Sequence, residues 1–235
     1  MAIPEISADA RTLWSLLRGQ PRNGSHADNL EAFYAPQAER YDAFRARLLQ
    51  GRAELIEQLD LRPGYRVVEL GCGTGSSLQM MGNTIHSIQR FDMIDLCPAL
   101  LGEARKRSAG YRTVNIVEGD ATTWQPEGAV DIVFMSYSLT MMPQWRNVVA
   151  NAYSMLAPGG KFGIVDFHLP NAGSRLGNAF WQQWFAHDGV HLSEKHLPLL
   201  RSTFNECATT ECRAKIPYLP GLRAPYYRFI GKRGA

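Results

Sequence analysis

The feature that most constrains this chain is the segment Gly71-Cys72-Gly73-Thr74-Gly75, set between a short apolar run and a helical pattern. The run before it, Arg66-Val67-Val68-Glu69-Leu70, reads as a strand, and Ser76–His86 behind it as a helix. Near-adjacent glycines let the backbone turn sharply. They also let its amides approach a ligand at a helix N-terminus, where negative groups are favoured. The dinucleotide fingerprint GxGxxG would need a glycine where Ser76 stands, and the GK[ST] of a P-loop is absent. Neither a pyrophosphate cofactor nor ATP fits this loop well.

The rest of the chain alternates in the same way. Residues 91–96 (FDMIDL), 114–120 (VNIVEGD), 130–137 (VDIVFMSY) and 161–167 (KFGIVDF) read as four further strands. Helical stretches at 98–108, opened by Pro98, and at 145–156, ended by Pro158-Gly159-Gly160, lie among them. The run 130–137 is almost wholly apolar, as a strand buried on both faces should be. This order implies βαβ units and a parallel sheet. Residues 206–232 read as two closing strands around Leu219-Pro220-Gly221, after an amphipathic stretch (168–200) carrying Phe180, Trp181, Trp184 and Phe185. Upstream, Tyr41–Asp60 reads as a helix capped by Asp42, 21–29 as a loop, and 1–20 as containing a short helix. With no repeat or long linker, the expectation is one α/β domain over 1–235. It divides into an N-terminal helical lid (1–61), a core (62–168), and a lid insertion with a closing hairpin (169–235).

Composition excludes other classes. Of 235 residues, 45% are hydrophobic and 10% aromatic, which does not suit a disordered coil, and no apolar run approaches the roughly 18–20 residues of a membrane span. The N-terminus has no apolar stretch of the signal-peptide kind. Cys72, Cys97, Cys207 and Cys212 show no framework spacing, so a reduced, cytoplasmic setting is expected. His187 and His191 are four apart, but Gly189 and Val190 interrupt helix there, and no metal is expected. The net charge of +3 is unevenly spread: residues 201–235 carry seven basic and two acidic side chains, +5, which leaves −2 for the first 200. Basic residues interleaved with Tyr218, Tyr226, Tyr227 and Phe229 suit an anionic partner: membrane, nucleic acid or acidic substrate.

Two acids complete the glycine loop. Asp95 ends the second strand, 20 residues after Gly75, where a carboxylate at the carboxyl edge of an open sheet can accept both ribose hydroxyls. Asp120, in Gly119-Asp120-Ala121, ends the third strand and could accept from an adenine amino group. With Val68–Gly75 and Leu156-Ala157-Pro158-Gly159-Gly160, these residues resemble the class I S-adenosylmethionine-dependent methyltransferases over about 62–168. The resemblance implies a Rossmann-like seven-stranded sheet with a C-terminal β-hairpin and S-adenosylmethionine as cofactor. It implies that Glu69, Gly71, Cys72, Gly73 and Gly75 hold the methionine end, Asp95 with Leu96 the ribose, Asp120 with Ala121 the adenine, and Ser136 and Tyr137 the outer wall.

The flanks FYAPQAERYDAFRARLLQGR (33–52), HDGVHLSEKHLPLL (187–200) and PYLPGLRAPYYRFIGK (217–232) resemble the N-methyltransferase of betaine-lipid synthesis. That resemblance implies three successive methylations of diacylglyceryl-homoserine. It also implies a separate partner enzyme that makes the homoserine ether, peripheral contact with an anionic membrane, and no nucleic acid. Methyl transfer from a sulfonium is an in-line displacement, so alignment and electrostatics do most of the work. A lysine-like amine, with a reference pKa of about 10.4, must first lose its proton, which desolvation favours. Tyr41, Tyr34 and His168 are the candidates for positioning or accepting that proton. A trimethylated cation suits the aromatic faces of Tyr34, Tyr41, Tyr137, Trp181 and Trp184, and a homoserine carboxylate suits Arg45, Arg52 or Arg223. The rivals are methylation of phosphatidylethanolamine or a small amine, a nucleic-acid methyltransferase, and a cofactor-binding module without turnover. Met135-Ser136-Tyr137-Ser138 replaces the Asn/Asp-Pro-Pro-Tyr/Phe motif that the nucleic-acid reading needs.

Overall fold

A computed structural model describes residues 25–35, 48–170, 175–186, 189–216 and 221–234. The glycine loop is entered from β1 (Arg66–Leu70), the third of seven strands across the sheet. β2 (Arg90–Asp95), β3 (Val114–Glu118), β4 (Val130–Ser136) and β5 (Leu156–Phe167) lie parallel to it. β6 (Asn205–Lys215) and β7 (Arg223–Lys232) form the closing hairpin, and β7 runs antiparallel to β5. The order β3-β2-β1-β4-β5-β7-β6 reverses direction between β1 and β4. A ligand crevice opens beyond the strand carboxyl ends at such a switch point. This is the seven-stranded, Rossmann-like α/β sheet that the family resemblance implies, with the parallel strands expected from the alternation.

Side-chain alternation builds two cores. Val67, Phe91, Met93, Ile132, Phe134 and Val165 face one side, where Leu55, Ile56 and Leu59 of one helix (α2, Arg52–Leu59) and Leu78 and Met81 of the next (α3, Ser77–Met81) cover them. Val68, Leu70, Ile94, Val133, Met135 and Ile164 face the other, beneath α5 (Trp145–Met155) and α7 (His196–Thr203). Gly163 lets α2 lie directly on β5, because a Cβ there would sit 2.7 Å from Leu59 Cδ2. α4 (Pro98–Ser108) begins at Pro98, and α6 (Arg175–Ala186) follows β5.

Several boundaries move for local reasons. The expected loop at 21–29 contains a helix start: Ser25 caps α1 (His26–Tyr34) in a reciprocal box with Asp28. The expected helix 76–86 changes to a 3-10 turn at Gly82, where φ is +53°. β5 begins at Leu156, five residues before the expected strand. In the expected helix 41–60, α2 starts after left-handed Gly51, and its proposed cap Asp42 lies outside the described residues, as does 1–20. No helix of the described residues is long and apolar enough to cross a membrane.

Candidate active site

The carboxyl ends of β1, β2, β3 and β4 open on a cleft of about 360 Å³, within the roughly 300–1,000 Å³ of small-molecule sites. Its floor is the glycine loop. Gly71 donates its amide to Ile94 O (2.8 Å), and Cys72 donates to the same oxygen (3.0 Å), so the loop is tied across to β2. Gly71 has φ +75°, and a Cβ there would lie 2.4 Å from Ser138 Cβ, so only glycine fits. Gly73, at φ +56°, has nothing within 4 Å of its missing Cβ, which leaves that side of the backbone open to the cleft.

Asp95 lies beside this floor. Gly73 N donates to its Oδ2 (2.8 Å) and Cys97 N to its Oδ1 (2.9 Å). Burial raises its pKa, and these backbone donors oppose the shift. An ionised carboxylate has about four acceptor sites, so capacity remains for two ligand hydroxyls. Asp120 and Ala121 line the same cleft, and Thr122 donates both its amide and its hydroxyl to Asp120 Oδ1 (2.8 Å each). Leu96, Ser136 and Tyr137 line it as well. Tyr137 has φ +54°, a strained backbone for a bulky residue, and its hydroxyl donates to Gln50 O at 2.6 Å. An open glycine floor beside a half-buried carboxylate fits a nucleoside-bearing cofactor.

The remaining walls come from more distant segments. α1 contributes Leu30 and Tyr34, and the Tyr34 hydroxyl donates to Met141 Sδ (3.1 Å). Glu31 fastens α1 to α4: its Oε2 accepts from Ala99 N and from Cys97 Sγ, both at 3.1 Å. Arg52 lines the cleft and donates from Nη1 to Ser76 Oγ (2.8 Å). Leu49, Met141, Met142, Pro143 and Gln144 also line it. Sequence reasoning missed these five and the Glu31 tie. Only the Ser25–Asp28 capping pattern signalled an element there.

Other expected site residues lie elsewhere. Gly75 is absent from the lining and instead lets α4 approach, with Ala104 Cβ 3.2 Å from where its own Cβ would be. Glu69 points to the α2–α3 side of the sheet, where Ser77 Oγ donates to its Oε2 (2.5 Å) and burial raises its pKa to about 8. It borders a smaller cavity behind the cleft, together with Arg52, Cys72 and Ser136. His168 is buried against Tyr227, with ring centroids 5.7 Å apart, and its Nε2 lies 3.2 Å from Glu211 Oε2, away from the cleft. Burial lowers its pKa. Trp181 is core beside Phe185, Trp184 faces outward, and Arg223 is exposed at the hairpin's turn end. Tyr41 and Arg45 lie outside the described residues. No three His, Cys, Asp or Glu among the described residues cluster as metal ligands.

Residues 67–160 match the family described as a methyltransferase domain. Trans-aconitate 2-methyltransferase of Escherichia coli O1:K1 / APEC is 31% identical over 131 residues, covering 56% of this chain and 49% of that protein. The enzyme of the same name from Shigella flexneri serotype 5b is 31% identical over 124 residues, 53% of this chain and 48% of that protein. The chain therefore spans about half the length of the curated relatives it matches. Among solved structures, phosphoethanolamine N-methyltransferase 2 of Haemonchus contortus superposes with a TM-score of 0.73 at 12% identity, over 92% of this chain and 62% of that one. N-methyltransferase NodS of Bradyrhizobium japonicum WM9, in complex with S-adenosyl-L-homocysteine, gives 0.63 at 17% identity, over 86% and 97%. At these identities the structures establish the fold.

Proposed function

We propose that this chain, whose fold and S-adenosylmethionine cleft are those of a class I S-adenosylmethionine-dependent methyltransferase, is an enzyme that N-methylates a lipid-borne amine. The acceptor in this reading is diacylglyceryl-homoserine, taken through successive methylations to the trimethylated betaine lipid. The observation that carries it is the lining of the cleft: apart from Asp95 and Asp120, its only charged described residue is Arg52, set among Tyr34, Tyr137 and the apolar Leu30, Leu49, Met141 and Met142. A head group with an amine and a carboxylate suits one guanidinium and aromatic faces. Each face would attract a methylated ammonium by roughly 0.5–2 kcal/mol.

When bound, S-adenosylmethionine supplies the methyl group on a sulfonium. The chain's residues hold the partners in line. Asp95 would take the ribose hydroxyls and Asp120 with Ala121 the adenine, while the floor of Gly71, Cys72 and Gly73 would take the methionine end. The Tyr137 hydroxyl is committed to Gln50 O, and burial puts its pKa well above the ordinary value, so it serves as a wall and not as a base. An apolar wall lowers the amine's pKa by desolvation, and no side-chain base is then required. The reading includes peripheral association with an anionic membrane on the cytoplasmic side, and a separate enzyme that supplies the homoserine lipid.

A second reading has one specific support. The relatives named for trans-aconitate act on an acid, and Arg52 would equally suit a small carboxylate. One assay separates the two. The purified chain is incubated with S-adenosylmethionine and, in parallel, homoserine lipid, phosphatidylethanolamine or trans-aconitate, and products are identified by mass. Mono-, di- and trimethylated homoserine lipid is the expected result. A methyl ester of the acid with no N-methylated lipid overturns the first reading in favour of the second.

A further inference from the structure

Glu69 ends up behind the glycine floor, bordering the rear cavity and absent from the lining of the cleft. That placement removes it from direct contact with a ligand in the cleft, but not from the ligand's charge. We propose that Glu69 is a proton-linked counter-charge for the cofactor: neutral behind an empty or product-filled cleft, and ionised when the cleft holds the sulfonium of S-adenosylmethionine. The rear cavity has a volume of about 30 Å³, room for about one or two waters. Arg52, Cys72, Ser76 and Ser136 line both spaces and so form the partition between the Glu69 carboxyl and the cleft. Ser136 Oγ in this partition is buried and has no hydrogen-bond partner among the described residues, which leaves it available to a water behind or a ligand in front. Leu55 and Ile56 of α2, Met80 of α3 and Phe134 of β4 make much of the remaining wall apolar.

The two carboxyls beside the floor are supplied with donors differently. Asp95, in front, accepts the backbone amides of Gly73 and Cys97. Glu69, behind, is 2% exposed, and its Oε2 accepts from the Ser77 hydroxyl. A carboxylate buried among apolar side chains with a hydroxyl donor is poorly compensated, so its neutral form is favoured. Burial raises its pKa to about 8; the Ser77 bond and the Arg52 charge oppose the rise, and the Asp95 charge adds to it. Arg52 of α2 and Asp95 of β2 are thus the charged groups that act on it, one of each sign. Cys72 is the other titratable neighbour, and burial holds its thiol well above its usual value, so it stays neutral.

A positive charge arriving at the floor favours the ionised carboxyl and drives its proton out. Linkage is reciprocal, so the ionised carboxylate holds the sulfonium more tightly than the neutral thioether of S-adenosylhomocysteine. Methyl transfer breaks the C–S bond, leaves its electron pair on sulfur and forms the new bond to the acceptor, so the positive charge leaves the floor. Glu69 then takes a proton back from solvent, and its preference for the ligand in the cleft is lost. Glu69 would in this way separate cofactor from product, which differ at that sulfur by one methyl group and one charge. The inference rests on the cofactor part of the reading above and is independent of the acceptor.

The test uses the full chain without acceptor. Titration calorimetry with S-adenosylmethionine and, separately, S-adenosylhomocysteine, in two buffers of different ionisation heat, counts the protons released on binding. A one-unit depression of the Glu69 pKa from about 8 releases about half a proton at pH 7.5. The ligand's own amino group titrates against parent and Glu69→Gln alike and cancels in their comparison. The parent is expected to release about half a proton more than Glu69→Gln on binding S-adenosylmethionine, and no more on binding S-adenosylhomocysteine. Relative to that variant, its affinity for S-adenosylmethionine should rise about six-fold between pH 6.5 and 8.5. Infrared difference spectra of the parent, which need no variant, should lose the carbonyl band of a protonated carboxyl on adding S-adenosylmethionine and keep it on adding S-adenosylhomocysteine. Equal proton release by the parent and a folded Glu69→Gln overturns the proposal, as does a band that S-adenosylmethionine leaves in place. An excess over the variant that is the same with both ligands also overturns it, because Glu69 would then answer the methionine end that they share. Failure of both ligands to bind in equilibrium dialysis refutes the cofactor reading itself, whereas binding without the proton difference sinks only this inference.

Discussion

Two stretches of the sheet's carboxyl edge, an open end at β1 and β2 and a covered end at β5, treat polar side chains in opposite ways. At the carboxyl ends of β1 and β2, Asp95 is held by backbone amides and still borders an open cleft. At the carboxyl end of β5, Asp166, His168 and the neighbouring Tyr227 of β7 are buried, beneath a face that α5 and α7 cover. Asp166 accepts from Thr140 Oγ1 (2.7 Å) and Thr140 N (3.1 Å), which ties the turn after β4 to the sheet. The Tyr227 hydroxyl and both ring nitrogens of His196 have no hydrogen-bond partner among the described residues. A polar residue at a strand end thus becomes a candidate for chemistry only where the chain beyond that end leaves it uncovered.

The largest effect should come from the open end. Two hydrogen bonds from ribose hydroxyls to a carboxylate are worth about 1.5–3 kcal/mol each. Asp95→Ala should therefore weaken S-adenosylmethionine binding by roughly 10²–10⁴-fold in titration calorimetry. His168→Ala, at the covered end, should leave that affinity within about two-fold, since the ring touches Tyr227 and Glu211 and not the cleft. Equal losses in the two variants, both still folded by circular dichroism, would erase the contrast between the ends.

The next effect belongs to the covered end and is read through pH. His196 packs edge-on against Trp145 at 4.5 Å, and burial draws its pKa down to about 4, with Arg146 and His168 adding to the shift. The folded state then binds fewer protons at this site than the unfolded state, whose value is about 6.5. Its stabilising contribution is complete above pH 6.5 and is lost as pH falls towards 4. Asp166, raised by burial to about 6, and Glu69, raised to about 8, act with the opposite sign: their contributions are complete at low pH and decline as pH rises through those values. Comparing the parent with His196→Leu cancels both acids. Between pH 6.5 and 4.5 the parent should lose about 2 kcal/mol relative to the variant in urea melts. Parallel slopes would mean that His196 is not held neutral.

Much of this contrast was legible in the sequence, and the remainder has physical reasons. The glycine loop, the succession of strands along the chain and the positions of Asp95 and Asp120 follow from local patterns: apolar runs of strand length, turn residues, and acids at strand ends. Period-two alternation also carried the signal for Glu69. Val68 and Leu70 share one face of β1, so Glu69 lies with Val67 on the other. The helical period separates Phe180 and Trp184 from Trp181 and Phe185 in the same way. His168 had no such signal. Its strand end looks like any other until residues 189–204 return, with His191 N donating to Thr140 O (2.7 Å) and Leu197 and Leu200 in the core. The cleft residues of α1 were hidden for a related reason, since a nine-residue helix reveals nothing of where it docks.

The smallest expected effect concerns that docking. Glu31 reaches from α1 to the first turn of α4, where its Oε2 accepts from Ala99 N and Cys97 Sγ at 3.1 Å. The partial positive charge of a helix N-terminus favours the carboxylate by a few tenths to about 1 kcal/mol. Leu30 and Tyr34 pack with Cys97 and Leu100 in a small cluster of their own, apart from the two cores. Glu31→Ala removes the tie and should speed cofactor dissociation about five-fold in stopped-flow measurements, equivalent to about 1 kcal/mol. Glu31→Gln keeps an acceptor, loses the charge, and should fall between parent and alanine variant. The global unfolding midpoint should change little in both, because the two main cores do not include α1. An unchanged off-rate in the alanine variant would mean that α1 does not gate the cleft, and that the open end of the sheet is as fixed as the covered one.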